Sequence, residues 1–194
     1  DQLNVTQTHI NRFINYQAIA YKNNENVQNL IAKYQFKNTT DFGCIQLFEY
    51  LNRKYSCIYM EMADRINNLS ETFNFKNIKS FFEIGGGFGA NIHFLVQNFP
   101  NIKKILYLDS VPNIYVGTKY LKHHFGEKVK NYLELKKLNK ISFQKNDDLE
   151  ILCIPPWLIE KVYAEIDHFH NAASFVEMPK IVINNYVKFI KSFK

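Results

Sequence analysis

Apolar positions in the second part of the chain fall into two kinds of run, short continuous stretches and helix-spaced sets, and their order predicts a sheet wound with helices. Ser80-Phe81-Phe82-Glu83-Ile84 suits a parallel strand buried on both faces. Ile92, Leu95, Val96 and Phe99 then recur at i, i+3, i+4 and i+7, one face of an amphipathic helix that Pro100 stops. Lys104 to Asp109 reads as a second strand. Beyond it Ile114, Thr118, Leu121 and Phe125 share a helical face, with Ser110 as N-cap, Pro112 in the first turn and Gly126 at the end. A helix from Glu127 to Leu138 follows, then a third strand over Glu150–Ile154, stopped by Pro155-Pro156. Trp157–Val162 reads as a short helix and Glu165–Asn171 as a fourth strand. Pro179 opens a last helix that packs through Ile183, Tyr186, Val187 and Ile190. Strands alternating with helices predict an α/β fold with a parallel, Rossmann-like sheet.

Residues 1–78 carry no such alternation. They hold no proline and one glycine, Gly43. Ile45, Phe48, Leu51, Tyr55, Ile58, Met62 and Ile66 recur every three or four positions, which predicts one long helix after a turn at Asn38–Gly43. With a further break near Asn74–Asn77, this front part is expected to be a helical extension capping an α/β domain of residues 79–194.

The glycines add the chemistry. Four of the seven stand together as Gly85, Gly86, Gly87 and Gly89, between the first strand and the first helix, where backbone can come close to a nucleotide-like cofactor. Asp109 follows Gly89 at about the 20-residue spacing that places an acid on ribose hydroxyls, with Ser110 beside it. Two cofactor patterns fit. Gly85-x-Gly87-x-x-Ala90 matches a dinucleotide site, and Glu83-x-Gly85-x-Gly87-x-Gly89 matches the acidic-start motif of S-adenosylmethionine methyltransferases. A carboxylate at Glu83 repels a pyrophosphate but favours a sulfonium and an ammonium group, and Gly89 is surplus to the dinucleotide pattern. The residues therefore favour S-adenosylmethionine.

Asp167-His-Phe-His-Asn171-Ala-Ala-Ser174-Phe-Val-Glu177-Met178-Pro179 supplies the other candidates. Ser174 and Glu177 have capping-box spacing, yet a helix capped by Ser174 would carry Pro179 in its second turn at a cost of about 3 kcal/mol. Ser174 to Met178 is therefore expected to be a loop at the carboxyl end of the fourth strand, with Glu177 a candidate base for an acceptor hydroxyl. Asn171 is a candidate cofactor or acceptor contact. His168 and His170 share a strand face and read as partly buried histidines, with His170 a second candidate base and no metal site expected. Trp157 could stack on adenine or simply pack.

From residue 79 onward the chain resembles the sugar O-methyltransferase family, through its E-x-G-G-G-x-G turn, the Asp ending the second strand, and D-x-x-x-N-x-x-S-x-x-E-M, followed by Tyr186 on a helix. The histidines of the fourth strand depart from the family's more apolar pattern. The resemblance implies a class I methyltransferase fold, S-adenosylmethionine as cofactor, and transfer of a methyl group to a sugar or saccharide hydroxyl, often in surface polysaccharide synthesis. It also implies a seven-stranded sheet, of which four strands are predicted here. A partner subunit or a further segment is expected to cover the open edge of the fourth. The alternatives are a NAD-dependent oxidoreductase and a non-catalytic cofactor-binding or assembly subunit.

At 194 residues, 46% hydrophobic and 22% charged, the chain is a globular domain or a catalytic core with an extension. It has no run of about 18 apolar residues to span a membrane. Asp1-Gln-Leu-Asn-Val has neither a basic start nor a long apolar stretch, so no secretory signal is expected within these residues, and Cys44, Cys57 and Cys153 form no CxxC pair. Reduced core thiols in a cytoplasmic protein are expected. The net charge of +6 gathers between Lys119 and Lys145, through Lys122, Lys128, Lys130, Lys136, Lys137 and Lys140. A solvated face explains it, with peripheral contact to anionic lipid or a phosphorylated saccharide as the functional reading. Nucleic acid is not expected, since no recognised binding motif accompanies the lysines.

Overall fold

The stretch from Leu47 to Ser56, expected to continue a helix, is instead a β-hairpin in the computed structural model, which describes residues 19–42 and 46–193. The chain divides into two compact units after Phe73. In the first, helix α1 (Glu25–Lys33) is capped by Asn24, whose Oδ1 accepts the Asn26 and Val27 N–H groups at 2.9 and 3.4 Å. Strands β1 (Leu47–Tyr50) and β2 (Arg53–Ser56) pair antiparallel and lead into α2 (Cys57–Leu69). The helical spacing of Phe48, Leu51 and Tyr55 misleads because Phe48 and Tyr55 are cross-strand partners, stacked at 5.7 Å, while Leu51 sits in the turn. Only from Cys57 does the periodicity mark a helix, with Met62 and Ile66 buried. Gly43 and Cys44 lie outside the described residues.

In the second unit the strands are β3 (Ser80–Ile84), β4 (Lys104–Leu108), β5 (Val129–Lys130), β6 (Glu150–Ile154) and β7 (His168–His170). All pair parallel, in the order β5-β6-β4-β3-β7. The main helices are α3 (Ala90–Asn98), α4 (Asn113–Phe125), the short α5 (Tyr132–Leu135) and α6 (Lys180–Ser192). Alternation along the strands sends Phe81 and Tyr107 to one face and Phe82, Leu106 and Leu152 to the other. Gly117 of α4 lies against Tyr107 on the first face. Tyr186 and Phe193 close the second, with Phe193 at 5.6 Å from Phe82. Residues 74–78 belong to this unit: Phe75 packs on Phe99 at 5.2 Å, and Asn101 Nδ2 donates to the Phe75 and Ile78 carbonyls at 2.7 and 2.6 Å.

This is a Rossmann-like α/β unit. Four of its strands are those predicted, and the fifth corrects the helix expected over Glu127–Leu138. Asn131 breaks that run, its Oδ1 accepting the Leu133 and Glu134 N–H groups at 2.8 and 3.1 Å, so α5 starts late and Val129–Lys130 is left extended beside β6. The fourth strand is shorter than expected because Asp167 turns aside. Its carboxylate takes the Lys79 and Ser80 N–H groups at 2.7 and 2.9 Å. Ser110 is not the cap of α4 either. Its N–H goes to Asp109 Oδ1 at 2.7 Å, and Pro112 occupies the cap position. Among the described residues β7 has a strand on one side only, and no helix is long and apolar enough to cross a membrane.

Candidate active site

From β3 the chain runs outward through β4 to the edge strand β5, comes back one place to β6, then crosses to put β7 on the other side of β3. The carboxyl ends of β3 and β7 therefore flank the topological switch point, where open α/β sheets bind ligands. A cleft of about 390 Å³ opens there, within the roughly 300–1,000 Å³ range of small-molecule sites. Its walls come from the ends of four strands: Gly85 and Gly87 after β3, Asp109 and Ser110 after β4, Pro156 after β6, and Ser174, Glu177 and Met178 after β7. Asn113 of α4 and Tyr186 of α6 complete it.

The two loops that flank the switch point are fitted to each other. Gly85 has φ +78°, and a Cβ there would collide with the Ser174 side chain, so only glycine lets the β7 loop lie this close. Asn171 staples the same junction, donating from Nδ2 to the Ile84 carbonyl at 2.8 Å and to Ser174 Oγ at 2.6 Å while Oδ1 accepts the Phe175 N–H at 3.2 Å. Gly87, at φ +60°, differs: a Cβ there meets nothing within 4 Å and would project into open space. Asp109 Oδ2 accepts the Gly87 N–H at 2.8 Å. Tyr107 donates its hydroxyl to the Gly87 carbonyl, and its acidity is suppressed first by burial and then by Asp109.

The cleft thus gathers Gly85, Gly87, Asp109, Ser110 and Glu177 from the expected set. Glu83 is 2% exposed and turned behind the loop, its Oε1 accepting from Asn91 Nδ2 at 2.8 Å and its other oxygen beside Gly86. Neither Glu83 nor Gly86 is among the lining residues, and Gly89, which begins α3 against Leu121, is not either. His170 is buried at 5.8 Å from the Phe81 ring on the first sheet face, away from the lining, and Asn171 acts through the loop it pins. Glu177 is exposed on a 3-10 turn (Ser174–Glu177) in which Ser174 makes no cap, and α6 begins after Pro179, as the proline argument predicts. Asn113 carries no expectation from the sequence, while Pro156 is read there only as a stop to the third strand and Met178 only as the end of a motif. Pro156, which follows β6 much as Ser110 follows β4, was the legible one.

The electrostatics of the sheet are polarised. Lys79, Lys104, Lys140 and Lys145 outnumber Glu165 and Asp167 around a recess of about 710 Å³ at the amino ends of the strands. At the carboxyl ends Asp109 and Glu177 are the charged lining residues of the cleft, with no lysine, arginine or histidine among the described residues that form it. A bound pyrophosphate would find no cation there, whereas a cationic ligand would find two carboxylates. Among the described residues no His, Cys, Asp or Glu cluster could hold a metal ion. Cys57 and Cys153 are free, buried thiols, and burial pushes the latter up to about 12.

No family model and no curated protein matches the chain. Among solved structures it is similar to the plantazolicin methyltransferase BpumL in complex with SAH, at a TM-score of 0.37 and 14% identity. That alignment covers 94% of this chain and 57% of the other, so the chain spans little more than half of that neighbour's length. At so low a score the likeness adds nothing to the geometry above.

Proposed function

We propose that the chain is an S-adenosylmethionine-dependent O-methyltransferase acting on a sugar or saccharide hydroxyl. The observation that carries the cofactor is the switch-point cleft with Asp109 and Glu177 on its walls and no cation among its described lining residues. Bound there, S-adenosylmethionine supplies a methyl group on a positively charged sulfur to an acceptor oxygen. The residues present fit it: open space at Gly87 admits a ligand against the main chain, and Asp109 with Ser110 offers a carboxylate and a hydroxyl to ribose. Glu83 steadies the loop from behind through Asn91.

Glu177 takes the proton that the acceptor hydroxyl loses, at or after transfer. Met178 and Tyr186 wall that side of the cleft and limit water around the reacting oxygen. The rest of the chain's contribution is alignment. The saccharide rests on the sequence resemblance. The cation-free lining weighs against NAD.

Calorimetry of the chain with S-adenosylhomocysteine and with NAD tests the cofactor. Heat with the first alone is expected, and heat with NAD alone would make the cleft a dinucleotide site. Labelled S-adenosylmethionine offered to glycan precursors tests the reaction. Cofactor binding without transfer to any saccharide would leave a non-catalytic binding subunit.

A further inference from the structure

A second recess, of about 470 Å³, adjoins the cleft and shares Pro156 and Tyr186 with it. Its other walls are Trp157 and Glu160 after β6, and Ile181, Val182 and Asn185 along α6. Large apolar side chains stand open to solvent here, with Trp157 61% and Ile181 79% exposed. A lone exposed apolar residue needs no explanation, but several around a recess that continues a ligand cleft do. Charge narrows what the recess can take. Among the described residues no lysine or arginine lines either the recess or the cleft, whose charged groups are Glu160, Asp109 and Glu177. A phosphate brought into the recess would lose its hydration and meet the Glu160 carboxylate, with no cation among the described lining residues.

We infer that this recess is the acceptor subsite and that it takes an uncharged saccharide ring, its apolar face on Trp157 and its hydroxyl edge toward Asn185 and Glu160. An aromatic surface complements the C–H face of a pyranose, and the few polar groups fix orientation. Tyr186, buried between the two spaces, is the wall past which a hydroxyl of that ring reaches the cleft. Phosphosugars and nucleotide sugars are excluded as acceptors. The assignment rests on the cofactor reading of the cleft, and its test separates the two.

Trp157 is the only tryptophan of the chain, so its emission reports on the recess directly. The whole chain is titrated with S-adenosylhomocysteine by calorimetry, then with a panel of methyl hexopyranosides, hexose 6-phosphates and 1-hexanol while Trp157 emission is followed. At least one methyl hexoside is expected to shift the emission saturably, with the phosphates inert. Trp157→Ala should raise the KM for that acceptor at least tenfold and leave S-adenosylhomocysteine affinity within twofold, and Trp157→Phe should restore most of the loss. Heat with S-adenosylhomocysteine but no hexoside response overturns the subsite and spares the cofactor reading. A saturable hexoside response without that heat overturns the cofactor reading and keeps the saccharide site. A shift caused by S-adenosylhomocysteine itself, a stronger response to a phosphosugar, or a response to hexanol alone each overturns the inference.

Discussion

Asp109 holds the Gly87 N–H at 2.8 Å, so the tip of β4 fixes the turn that follows β3. The same carboxylate takes the Ser110 N–H at 2.7 Å and still faces the cleft. A carboxylate has about four acceptor positions, and with the Ser110 hydroxyl also donating to Oδ1 at 3.5 Å about one remains for a ribose hydroxyl. Asp109→Asn removes the charge and turns one oxygen into a donor. Hydrogen bonds to charged groups contribute about 1.5–3 kcal/mol, so S-adenosylhomocysteine affinity should fall about 10- to 100-fold by calorimetry. An unchanged affinity would remove Asp109 from the site.

Gly85 and Gly87 should fail differently when a methyl group is added. Both have positive φ, a penalty of about 1–2 kcal/mol for an L residue. Gly85→Ala also drives its Cβ into Ser174, so it should lower the melting temperature more than Gly87→Ala, and adding Ser174→Gly should recover part of the loss. Gly87→Ala meets open space and should keep the fold while weakening cofactor binding. Equal melting temperatures for the two single variants would contradict the contact between the loops.

Glu177→Gln keeps the shape of the 3-10 turn and removes the base. Turnover of the saccharide acceptor should drop about 10²- to 10⁴-fold with S-adenosylhomocysteine affinity within a few-fold. His170, buried against Phe81 and absent from the lining, serves as the comparison. His170→Gln should leave more turnover than Glu177→Gln, and the reverse order in single-turnover assays would move the base to the histidine.

The sheet was legible because continuous apolar runs such as Ser80–Ile84 have no solvent face to hide, and a glycine cluster between such a strand and an amphipathic helix has few other uses. Asp109 was legible because it directly follows β4, and Glu177 because Pro179 keeps the loop past β7 out of the last helix. Glu83 was less so. Strand alternation already put it on the face opposite Phe82, but that it lies behind the loop depends on Asn91, eight residues on in α3. The hairpin stayed hidden because an i, i+7 pair has the same spacing on a helix as across a two-residue turn. Leu51-Asn52 lacks the glycine that would have marked that turn.

That turn is open to improvement. Leu51 and Asn52 have φ +49° and +58°, the left-handed pair that a two-residue hairpin needs, flanked by the partners Tyr50 and Arg53. Leucine tolerates this conformation poorly, and Leu51 is 76% exposed, so little burial is lost by replacing it. Leu51→Asn combined with Asn52→Gly should stabilise the first unit by about 1–2 kcal/mol. A lower melting temperature would mean that the register of β1 and β2 is wrong.

Acid should act on the chain through a histidine that does not line the cleft. His93 of α3 is buried, with Tyr120 Oη 2.6 Å from Nδ1 and Gln97 Nε2 2.6 Å from Nε2, and the His124 ring stacked at 4.1 Å. With Gln97 donating to Nε2, the ring proton sits on Nδ1, and a second proton would point at the Gln97 amide. Burial first, and then His124, hold His93 down at about 3 against an ordinary 6.5. The folded pKa is the lower one, so between 6.5 and about 3 the unfolded chain binds the extra proton. Stability is therefore whole above 6.5 and falls as pH drops through that window, at up to about 1.4 kcal/mol per pH unit for this residue. His168, lowered by burial as well, adds in the same direction. Denaturant midpoints between pH 7.5 and 4.5 should show the decline, and His93→Gln should flatten it. A variant with the parent's slope would place the acid sensitivity elsewhere.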